Sequence, residues 1–560
     1  MMPRRKETKY IFVCGGVVSG LGKGIVCSSI GLLLKAAGYS VNHVKIDPYL
    51  NVDAGTMRPA EHGEVFVTDD GGEIDQDLGN YERFANESFS KDNNITSGKV
   101  YQTIIANERA FVYEGRDVEM IPDVPNEIKR RFYALEDKCD FMVVEIGGTT
   151  GDIENLPFLF AAREVGRERE AMYVMVSYVP FLKNVGELKT KPTQHAVMQL
   201  RSTGIVPDIL ITRGEYPMDR PRLETLGKRC FLEPDALFDD PDAESIYEVP
   251  LILEKQEMTA KIQSKFGLSV KKPDLKKWED FVSRVTKPEK EINIALVGKY
   301  VKNGGSLHRD VYVSVLEAVR HAGAANKVKV NVVPFDATEF DPKELQKLHP
   351  AGIVVPQGWG SRGVEGKIAA VKWARENKVP YLGLCFGMQM AVIEYARDVC
   401  GLAGANSEEA DSKTAYPVIH VMPDQKKYLE AHQYGGTIRL GAWPCRIKPG
   451  SILEEAYKKY GKTPNGLVEK EKEGEWRKWV WERHRHRYEF NNEYRKFLEG
   501  RGLVVSGVSP DGKLVEAIEL PRSVHPFFVG TQFHPEYKSR PLSPHPVFVS
   551  FVEAAVGNGR

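Results

Sequence analysis

Short apolar runs alternate along the chain with longer segments in which apolar residues recur every three or four positions. This alternation is typical of βα units, in which helices connect parallel strands. The runs that read as buried strands are residues 10–13, 141–146, 209–212, 292–297, 352–355 and 381–384. The pattern therefore predicts an α/β protein built on parallel sheets.

The chain has 560 residues, which is too long for one hydrophobic core and fits two or three domains. Residues 271–291 are rich in charge and proline, and a new apolar run begins directly afterwards. We therefore predict a boundary near residue 285, with one domain over 1–285 and another over 286–560. Within the second domain, the charged stretch 468–487 reads as a helical surface insertion.

Charge and cysteine content limit the classes of function. Basic and acidic residues number 77 each, so 77 − 77 leaves no net charge, and no nucleic-acid or anionic-membrane partner is expected. The apolar runs are much shorter than the ~20 residues of a membrane span, and the first residues lack the apolar stretch of a signal peptide. Seven cysteines without a C-x-x-C pair indicate a reducing compartment, so we expect a soluble, cytoplasmic protein.

A glycine-rich loop follows the first strand. Its backbone N–H groups can hold a polyphosphate at the start of a helix predicted near Ile25, with Lys23 as the positive charge. The loop departs from the pattern G-x-x-x-x-G-K-[ST], because Gly16 is one residue too far from Gly22 and Gly24 replaces the hydroxyl residue that would bind Mg²⁺. We therefore expect other residues to hold the metal.

Two acidic residues are candidates for Mg²⁺ binding. Asp77 closes the acidic run 69–77, and Glu145 lies at the end of a buried strand, where open α/β sheets bind ligands. A solvated acidic turn is the alternative for Asp77. Residues 189–194 combine two lysines with small hydrogen-bonding side chains, which fits a second phosphate chain, although a plain basic loop has the same composition.

In the second domain, Cys385 stands between two glycines, where an apolar strand leads into a helix predicted near Met388. This G-x-C-x-G pattern is typical of a nucleophile elbow, although a cysteine buried in a strand is the alternative. In an extended segment, His534 and Glu536 would point to the same face. We therefore predict a Cys-His-Glu triad, in which the histidine is the base and the glutamate orients it.

An oxyanion hole needs backbone N–H groups beside the nucleophile. Residues 355–363 form a glycine-rich turn after a strand, and they can supply such donors. We call these residues the oxyanion loop, after this predicted role.

Long segments of the first domain resemble the amidoligase domain of the CTP synthase family: residues 45–51, 61–67, 77–84 and 145–154. The resemblance runs from about residue 10 to about residue 253. It implies a P-loop parallel-sheet domain in which ATP phosphorylates O4 of UTP and ammonia then displaces the phosphate to give CTP.

The resemblance also implies site residues. Those matched to ATP binding are Ser19, Gly20, Leu21, Gly22, Lys23, Gly24, Ile25, Lys45 and Asp77. Those matched to UTP, or to the inhibitory product CTP, are Ser19, Asp152, Ile153, Glu154, Lys189, Thr190, Lys191, Pro192, Thr193 and Gln194. Asp77 and Glu145 are matched to Mg²⁺, and His62 to the mouth of an ammonia tunnel. One departure is Thr225, which stands where the family has a nucleotide-contacting lysine, and Lys228 is a possible replacement.

The second domain, over about 292–556, is similar to class I glutamine amidotransferases in the form found in the same family. Residues matched to glutamine binding are Gly358, Phe386, Gly387, Met388, Gln389, Glu409 and Arg487. Gln357 replaces a glycine of the family, so the geometry of the oxyanion loop is open. Residues 435–441 resemble a lid through which GTP promotes glutamine hydrolysis, with Arg439 as a contact.

The resemblance thus implies a glutamine-dependent ligase that uses Mg²⁺, ATP, UTP and glutamine, is activated by GTP and inhibited by CTP, and passes ammonia between its domains. It also implies a homotetramer, and filament assembly is open. Three rivals are weighed. Another P-loop amidoligase, such as a cobyrinic acid amide synthase, would lack residues 45–51 and 189–194. A partition-type P-loop ATPase explains nothing of the second domain. An inactive filament-forming paralogue conflicts with the intact Lys23, Cys385, His534 and Glu536.

Overall fold

A computed structural model describes residues 7–136, 139–299, 302–303, 306–307, 309–422, 425–431, 435–461, 468–472 and 475–558. The chain forms two compact units. The first comprises Met1–Asp53 and Asn80–Val282, and the second comprises Ala54–Gly79 and Ser283–Arg560. The change at Ser283 lies beside the boundary predicted near residue 285, but nothing in the composition signals that Ala54–Gly79 joins the second unit. The division into domains 1–285 and 286–560 stays a prediction.

The first unit is built on a seven-stranded sheet in the order β11-β10-β7-β1-β6-β2-β5, and every neighbouring pair in it is parallel. The strands in the first half of the chain are β1 Lys9–Gly16, β2 Val41–Asp47, β3 Val65–Val67, β4 Glu73–Asp75, β5 Asn94–Thr96, β6 Phe141–Ile146, β7 Ala171–Tyr178, β8 Phe181–Leu182, β9 Glu187–Leu188, β10 Ile209–Gly214 and β11 Leu237–Pro241. The helices are α1 Lys23–Ala36, α2 Pro59–His62, α3 Asp77–Ala85, α4 Ser97–Arg109, α5 Met120–Tyr133, α6 Leu156–Glu168, α7 Lys191–Ser202, α8 Arg220–Cys230, α9 Val249–Glu254, α10 Met258–Lys265 and α11 Lys276–Thr286.

The second unit contains a ten-stranded sheet in the order β15-β12-β16-β17-β26-β25-β24-β20-β22-β21. The strands are β12 Lys290–Gly298, β13 Lys302–Asn303, β14 Ser306–Leu307, β15 Val328–Asp336, β16 Gly352–Val355, β17 Tyr381–Leu384, β18 Ala405–Ser407, β19 Tyr416–Val421, β20 Arg439–Ile447, β21 Val468–Lys472, β22 Glu475–His486, β23 Tyr488–Phe490, β24 Val504–Val508, β25 Val515–Glu519 and β26 Phe528–Thr531. The helices are α12 Val313–Ala325, α13 Pro342–Leu348, α14 Val364–Glu376, α15 Phe386–Glu394, α16 Lys426–Glu430, α17 Ile452–Tyr460, α18 Arg495–Glu499 and α19 Pro546–Asn558.

Strands β15 to β26 of this order run parallel, and the remaining strands pair antiparallel. All six strands predicted from apolar runs are present, so the α/β prediction is confirmed. Their residues are buried, apart from Ile292 and Asn293 near the start of β12, because both faces of a parallel sheet are covered by helices.

Three local predictions are wrong. Helix α1 begins at Lys23 rather than near Ile25, and α15 begins at Phe386 rather than near Met388. The charged stretch 468–487 is not helical, because its described residues form β21 and β22 at the edge of the ten-stranded sheet. Charged side chains are common on edge strands, where they oppose pairing with other chains, and composition alone did not separate this case from a helix.

No helix among the described residues combines the length and the apolar composition that crossing a membrane requires.

Phe12 tests the core of the first unit. Its ring is fully buried in β1, at centroid distances of 5.6 Å from Tyr10, 5.8 Å from Tyr173 and 5.9 Å from Phe132. Because Phe12→Ala leaves a cavity among these rings, we expect the free energy of unfolding of the first unit to fall by about 3–5 kcal/mol. Denaturant titration measures this, with Phe12→Leu as a control that costs less. An unchanged transition in Phe12→Ala would contradict the packing described.

Candidate functional site

Four neighbouring parallel strands of the second unit deliver side chains to one edge of the sheet. Lys299 follows β12, Gln357 follows β16, Cys385 follows β17, and His534 lies three residues after β26. The carboxyl ends of parallel strands meet at the same edge, which is where open α/β sheets bind ligands. Segments far apart in sequence therefore converge on one site.

Cys385 occupies a strained turn between β17 and α15. Its φ of 51° and ψ of −101° are rare for a residue with a side chain. The turn brings Gly387 so close to β16 that a Cβ there would lie 1.9 Å from the carbonyl oxygen of Val355. The backbone N–H of Cys385 donates to the carbonyl of Thr531 at 2.6 Å. The predicted elbow geometry is thus present, and its close approach to β16 requires glycine.

His534 and Glu536 form a buried pair. Nδ1 of His534 lies 2.7 Å from Oε1 of Glu536, and both side chains are almost fully buried. Burial lowers the pKa of His534, but the Glu536 carboxylate and the Cys385 thiol outweigh burial and raise the pKa to about 10. The expected extended segment is wrong, because Pro535–Lys538 is a 3₁₀ helix, whose start Pro535 favours. The glutamate still reaches the histidine, from within a turn.

Two buried lysines, which the sequence reasoning missed, hold the oxyanion loop. Nζ of Lys367 donates to the carbonyls of Pro356, at 2.6 Å, and Gln357, at 3.4 Å. Nζ of Lys299 donates to the carbonyls of Trp359, at 2.8 Å, and Gly360. A peptide whose carbonyl points toward a lysine turns its N–H the other way, since the two are opposed across the peptide plane.

Burial is the main influence on both lysines. It lowers the pKa of Lys299 to about 8, although the Glu409 carboxylate raises that pKa. Burial, together with the charge of Lys299, lowers the pKa of Lys367 well below its ordinary value. Both Nζ atoms also lie over the ring of Phe386, at 3.9 Å for Lys299 and 5.2 Å for Lys367. A signal was available in the sequence, because Lys299 directly follows an apolar strand.

Gln357 fits the loop without strain. It is absent from the residues with positive φ, so the backbone there does not require glycine. Its side-chain Nε2 donates to Oε1 of Glu64 at 3.2 Å, and its carbonyl accepts from Tyr312 Oη at 3.5 Å. The departure from the family pattern is therefore accommodated by a contact to Glu64.

The residues matched to glutamine binding surround the elbow. Oε1 of Glu409 accepts from the N–H of Gly360 at 2.6 Å. Burial raises the pKa of Glu409, while that hydrogen bond and the charges of Lys299 and Arg487 act in the opposite direction. Arg487 donates to Oγ1 of Thr437 at 2.9 Å. One carboxylate and one guanidinium of this site thus have charges complementary to the two charged groups of an amino acid.

The remaining matched residues lie on or beside the elbow. Gly358 is in the oxyanion loop, and a Cβ there would lie 3.1 Å from the Lys299 side chain. Phe386, Gly387, Met388 and Gln389 form the buried first turn of α15.

Arg439 is buried rather than presented on an exposed loop. It begins β20, and its guanidinium donates to both carboxylate oxygens of Glu516, at 2.7 Å and 3.2 Å. Burial raises the pKa of Glu516, and Arg439 opposes that shift. Arg439 would have to break this pair to reach a ligand.

The run 483–487 alternates between two faces of β22. His484 and His486 contact each other at 3.1 Å (Nδ1 to Nε2), and His484 lies 3.7 Å from Glu516. Burial, reinforced by Arg439, lowers the pKa of both histidines well below the ordinary value. His484 and His486 are therefore neutral side chains that are packed in the interior.

Two arginines of the same run, Arg483 and Arg485, hold Ala54–Gly79. Nε of Arg483 donates to Asp69 at 2.6 Å, and Nε of Arg485 donates to Glu73 at 2.8 Å. Tyr537, one residue after Glu536, donates its hydroxyl to the carbonyl of Val65 at 2.9 Å. Side chains next to the site therefore attach this segment to the second unit.

A small pocket of the second unit lies between the oxyanion loop and this segment. Its lining residues are Pro59, Glu64, Val65, Val311, Tyr312, Gln357, Gly358, Trp359, Arg485 and Tyr537. His62 is exposed at the end of α2, the helix that begins with Pro59, and it is not among the lining residues.

In the first unit, the glycine-rich loop predicted to bind phosphate follows β1, the middle strand of the sheet. Residues Ser19, Gly20, Leu21 and Gly22 form the turn, and Gly22 has φ 94°, a conformation that favours glycine. Lys23 is buried, and its Nζ donates to the carbonyl of Gly148 at 2.9 Å. Gly24 and Ile25 continue in the first turn of α1. The lysine thus links this loop to the turn that follows β6.

Lys45 and Glu145 face each other across neighbouring strands. They are register partners in β2 and β6, and Nζ of Lys45 lies 2.9 Å from Oε1 of Glu145 and 3.7 Å from Oδ1 of Asp47. The hydroxyl of Tyr81 donates to Glu145. Glu145 is therefore buried in a polar cluster at the sheet edge, and Lys45 offsets the cost of its charge.

Asp77 begins α3, and its backbone N–H donates to Oδ1 of Asp75 at 3.0 Å. Within the part of the chain that the structure describes, no group of three or more His, Cys, Asp or Glu side chains is arranged to hold a metal ion.

The residues matched to UTP lie in two segments of the first unit. Asp152 accepts from the N–H of Thr149 at 2.6 Å, and Ile153 and Glu154 are exposed in the 3₁₀ helix that follows. Lys189 is paired with Glu187 at 2.7 Å. The second segment leads into α7: Thr190 precedes the helix, Lys191 and Pro192 open it, and Thr193 and Gln194 are buried in its first turn.

Arg213 is a candidate ligand-binding residue beside the glycine-rich loop, and the sequence did not indicate it. It donates to the carbonyl of Leu21 at 3.3 Å and lies 3.3 Å from Asp240, whose pKa burial raises to about 6. A cavity of about 190 Å³ adjoins it, lined by Val18, Gly20, Leu21, Tyr178, Arg213, Gly214 and Asp242.

Thr225, the departure from the family pattern, and Lys228 are both exposed on α8, three residues apart.

Comparisons with known proteins agree with this arrangement. A family model described as "CTP synthase N-terminus" matches residues 9–268, and one described as "Glutamine amidotransferase class-I" matches residues 307–554. A CTP synthase of Caldanaerobacter subterraneus is 50% identical over 98% of this chain and 98% of its own length. A CTP synthase of Methanocaldococcus jannaschii is 50% identical over 99% of both chains, and one of Thermococcus gammatolerans is 48% identical over 98% of both. With half of its residues shared along nearly the whole length, and with both family models matched in order, the chain belongs to the CTP synthase family.

Proposed function

We propose that this chain is a ligase that converts UTP to CTP with ATP and with ammonia released from glutamine. The observation that carries the proposal is the buried His534–Glu536 pair beside a cysteine on an elbow, in a chain whose other unit has a glycine-rich loop and a buried lysine at the start of α1. Incubation with UTP, ATP, Mg²⁺ and either glutamine or ammonium, with detection of CTP, tests it.

In the proposed glutaminase reaction, His534 takes the proton of Cys385 and the thiolate attacks the carboxamide carbon of glutamine. Backbone N–H groups of the oxyanion loop and of Phe386 stabilise the negative oxygen that develops. His534 then gives its proton to the –NH₂ group, which leaves as ammonia, and water hydrolyses the thioester to glutamate and the free Cys385 thiol. Glu409 and Arg487 bind the ammonium and carboxylate of the substrate, which their charges support.

In the proposed ligase reaction, residues 19–25 hold the phosphates of ATP at the start of α1, where backbone N–H groups favour anions. Lys23 and Lys45 supply positive charge where the phosphoryl group passes from ATP to O4 of UTP. Residues 152–154 and 189–194 bind UTP, and CTP at an overlapping site. Ammonia then attacks C4, and inorganic phosphate leaves.

We further propose Mg²⁺ as the metal, with Asp77 and Glu145 as its ligands. The donor type fits the ion, because Mg²⁺ prefers carboxylate oxygens, and Glu145 would exchange its contacts to Lys45 and Tyr81 for the metal. When bound, Mg²⁺ would offset the charge of the nucleotide phosphates.

Activation by GTP is proposed through residues 435–441. The hydrogen bond between Thr437 and Arg487 supports this, because a ligand on that loop would act on a residue matched to glutamine binding. His62 is proposed at the tunnel mouth because it shares α2 with Pro59, which lines the pocket beside the oxyanion loop.

A homotetramer and a cytoplasmic location are also proposed. Exposed apolar side chains from α4 to the start of α5 support an interface between copies: Ile105, Phe111, Val112, Met120 and Ile121. The seven cysteines, none of which forms a disulfide, support a reducing compartment.

Cys385→Ala removes the nucleophile of the second unit and leaves the first unit unchanged. We expect CTP formation with glutamine to be lost, by at least about 10³-fold, while formation with ammonium continues near the wild-type rate. Cys400→Ala, at another buried cysteine of the same unit, is the control and should retain both. Equal loss of both activities in Cys385→Ala would contradict the division of labour.

Lys23→Ala removes the charge at the start of α1. We expect CTP formation to be lost with either nitrogen source, because phosphoryl transfer precedes amination, while glutamine hydrolysis is partly retained. Lys35→Ala, in the last turn of the same helix, is the control that should keep synthesis. Full synthesis by Lys23→Ala would exclude the proposed ATP site.

Glu536→Gln tests the electrostatic pairing of His534. A histidine whose pKa is raised to about 10 by folding adds stability below its unfolded pKa of about 6.5, and that stability is lost as the pH rises through 10. We expect the free energy of unfolding of the second unit to fall across this window in the wild type, by a few kcal/mol, and to fall less in Glu536→Gln. Urea titrations between pH 6 and 10 measure the difference. Identical pH dependence in the two proteins would rule out the pairing.

A further inference from the structure

Gln532 places its side-chain amide against the nucleophile. Its Nε2 lies 3.5 Å from Sγ of Cys385, within hydrogen-bond range of a sulfur acceptor, and the residue is only 1% exposed. On its other side, Oε1 accepts from Nε2 of Gln389 at 3.3 Å. The amide thus lies between the thiol and a glutamine of α15.

The orientation of this amide follows from the hydrogen-bond chain. The backbone carbonyl of Tyr488 can only accept, so the group of Gln389 that lies 2.9 Å from it must be the NH₂. That same NH₂ bonds Gln532, which must therefore present its oxygen to Gln389. Only the NH₂ of Gln532 is then left to face Sγ, and it can only donate.

The backbone around Gln532 fixes the position of the donor. Its N–H donates to the carbonyl of Glu516 at 2.8 Å, and the carbonyl of the preceding Thr531 accepts from the N–H of Cys385 at 2.6 Å. Backbone hydrogen bonds of the two adjacent residues Thr531 and Gln532 therefore hold the backbone of Cys385 next to that of Gln532. Such a donor needs no rearrangement when charge develops on the sulfur.

We propose that Gln532 is a further catalytic residue, whose amide donates a hydrogen bond to the thiolate of Cys385 and favours the reactive anion over the thiol. A donor of fixed orientation bonds the anion more strongly than the neutral thiol. A further polar contact of Sγ, to the carbonyl of Arg485 at 3.9 Å, is available only while the sulfur carries its proton. The inference rests on the proposed glutaminase reaction.

Other titratable groups also interact with the sulfur. They are His534, Lys367 of α14 and Tyr537 of the 3₁₀ helix after β26. The variants below leave all three in place, so a change in the titration of the sulfur reports on Gln532.

The test is the pH dependence of alkylation of Cys385 by iodoacetamide in the full-length chain without nucleotide or glutamine. Peptide mass spectrometry separates Cys385 from the other six cysteines. In Gln532→Met, which has similar length and no donor, we expect the midpoint of the alkylation profile to rise by about one to two pH units, the size of one charge-assisted hydrogen bond. A midpoint for Gln532→Met that differs from the wild-type midpoint by less than about 0.3 pH units overturns the proposal.

Gln532→Glu is the second variant, and it decides the question if Gln532→Met does not fold. It keeps the shape of the side chain but offers only acceptor oxygens once ionised, so the midpoint must rise at least as far, and no rise overturns the proposal. Gln263→Met is the control, because the side chain of this buried glutamine of the first unit bonds the backbone of Lys271. Its loss should leave the Cys385 profile unchanged.

Glutamine hydrolysis by Cys385→Ala separates this inference from the proposed function. If that variant still hydrolyses glutamine, the proposed function fails, whatever Gln532 does. If it is inactive and the Gln532 variants titrate like the wild type, only the role of Gln532 fails. If it is inactive and both midpoints rise, both stand.

Discussion

The parallel pairing of β12, β16, β17 and β26 is the constraint on which the candidate site depends. Parallel strands end at the same edge, so the residues that follow each strand meet there, although nearly 240 positions separate Lys299 from His534 along the chain, by their numbers. The same rule applies in the first unit, where the glycine-rich loop follows β1 and the Lys45–Glu145 pair lies near the carboxyl ends of β2 and β6. Each unit thus builds its site from short segments carried by a rigid sheet.

Close backbone approach and buried charge hold the details of the second-unit site. The elbow is compressed against β16 so tightly that only glycine fits at position 387. Lys299 and Lys367 are buried with their ammonium groups on loop carbonyls, which is costly for the charged form and lowers the pKa of both. Such arrangements cost stability and are typical of sites that hold a reactive geometry before substrate binds.

The strand β22 serves two purposes because its side chains alternate between faces. On one face, Arg483 and Arg485 hold Ala54–Gly79, and on the other, His484 and His486 pack neutral beside Glu516. A segment from the first half of the chain is thereby attached to the unit that contains Cys385. The same sheet also positions Gln532, which follows β26 and bonds β25. In the role that we infer for Gln532, this sheet therefore also sets the reactivity of the Cys385 sulfur.

The sequence alone determined the α/β class, the six buried strands, the elbow around Cys385 and the pairing of His534 with Glu536, because these depend on local periodicity and short spacing. It did not predict that 468–487 forms strands, since a charged edge strand and a charged helix share a composition. It also missed Lys299 and Lys367, Arg213 and the attachment of Ala54–Gly79, and it did not indicate that Arg439 is buried against Glu516. These features are contacts between residues far apart in sequence, and only the tertiary structure decides which distant charges are buried together.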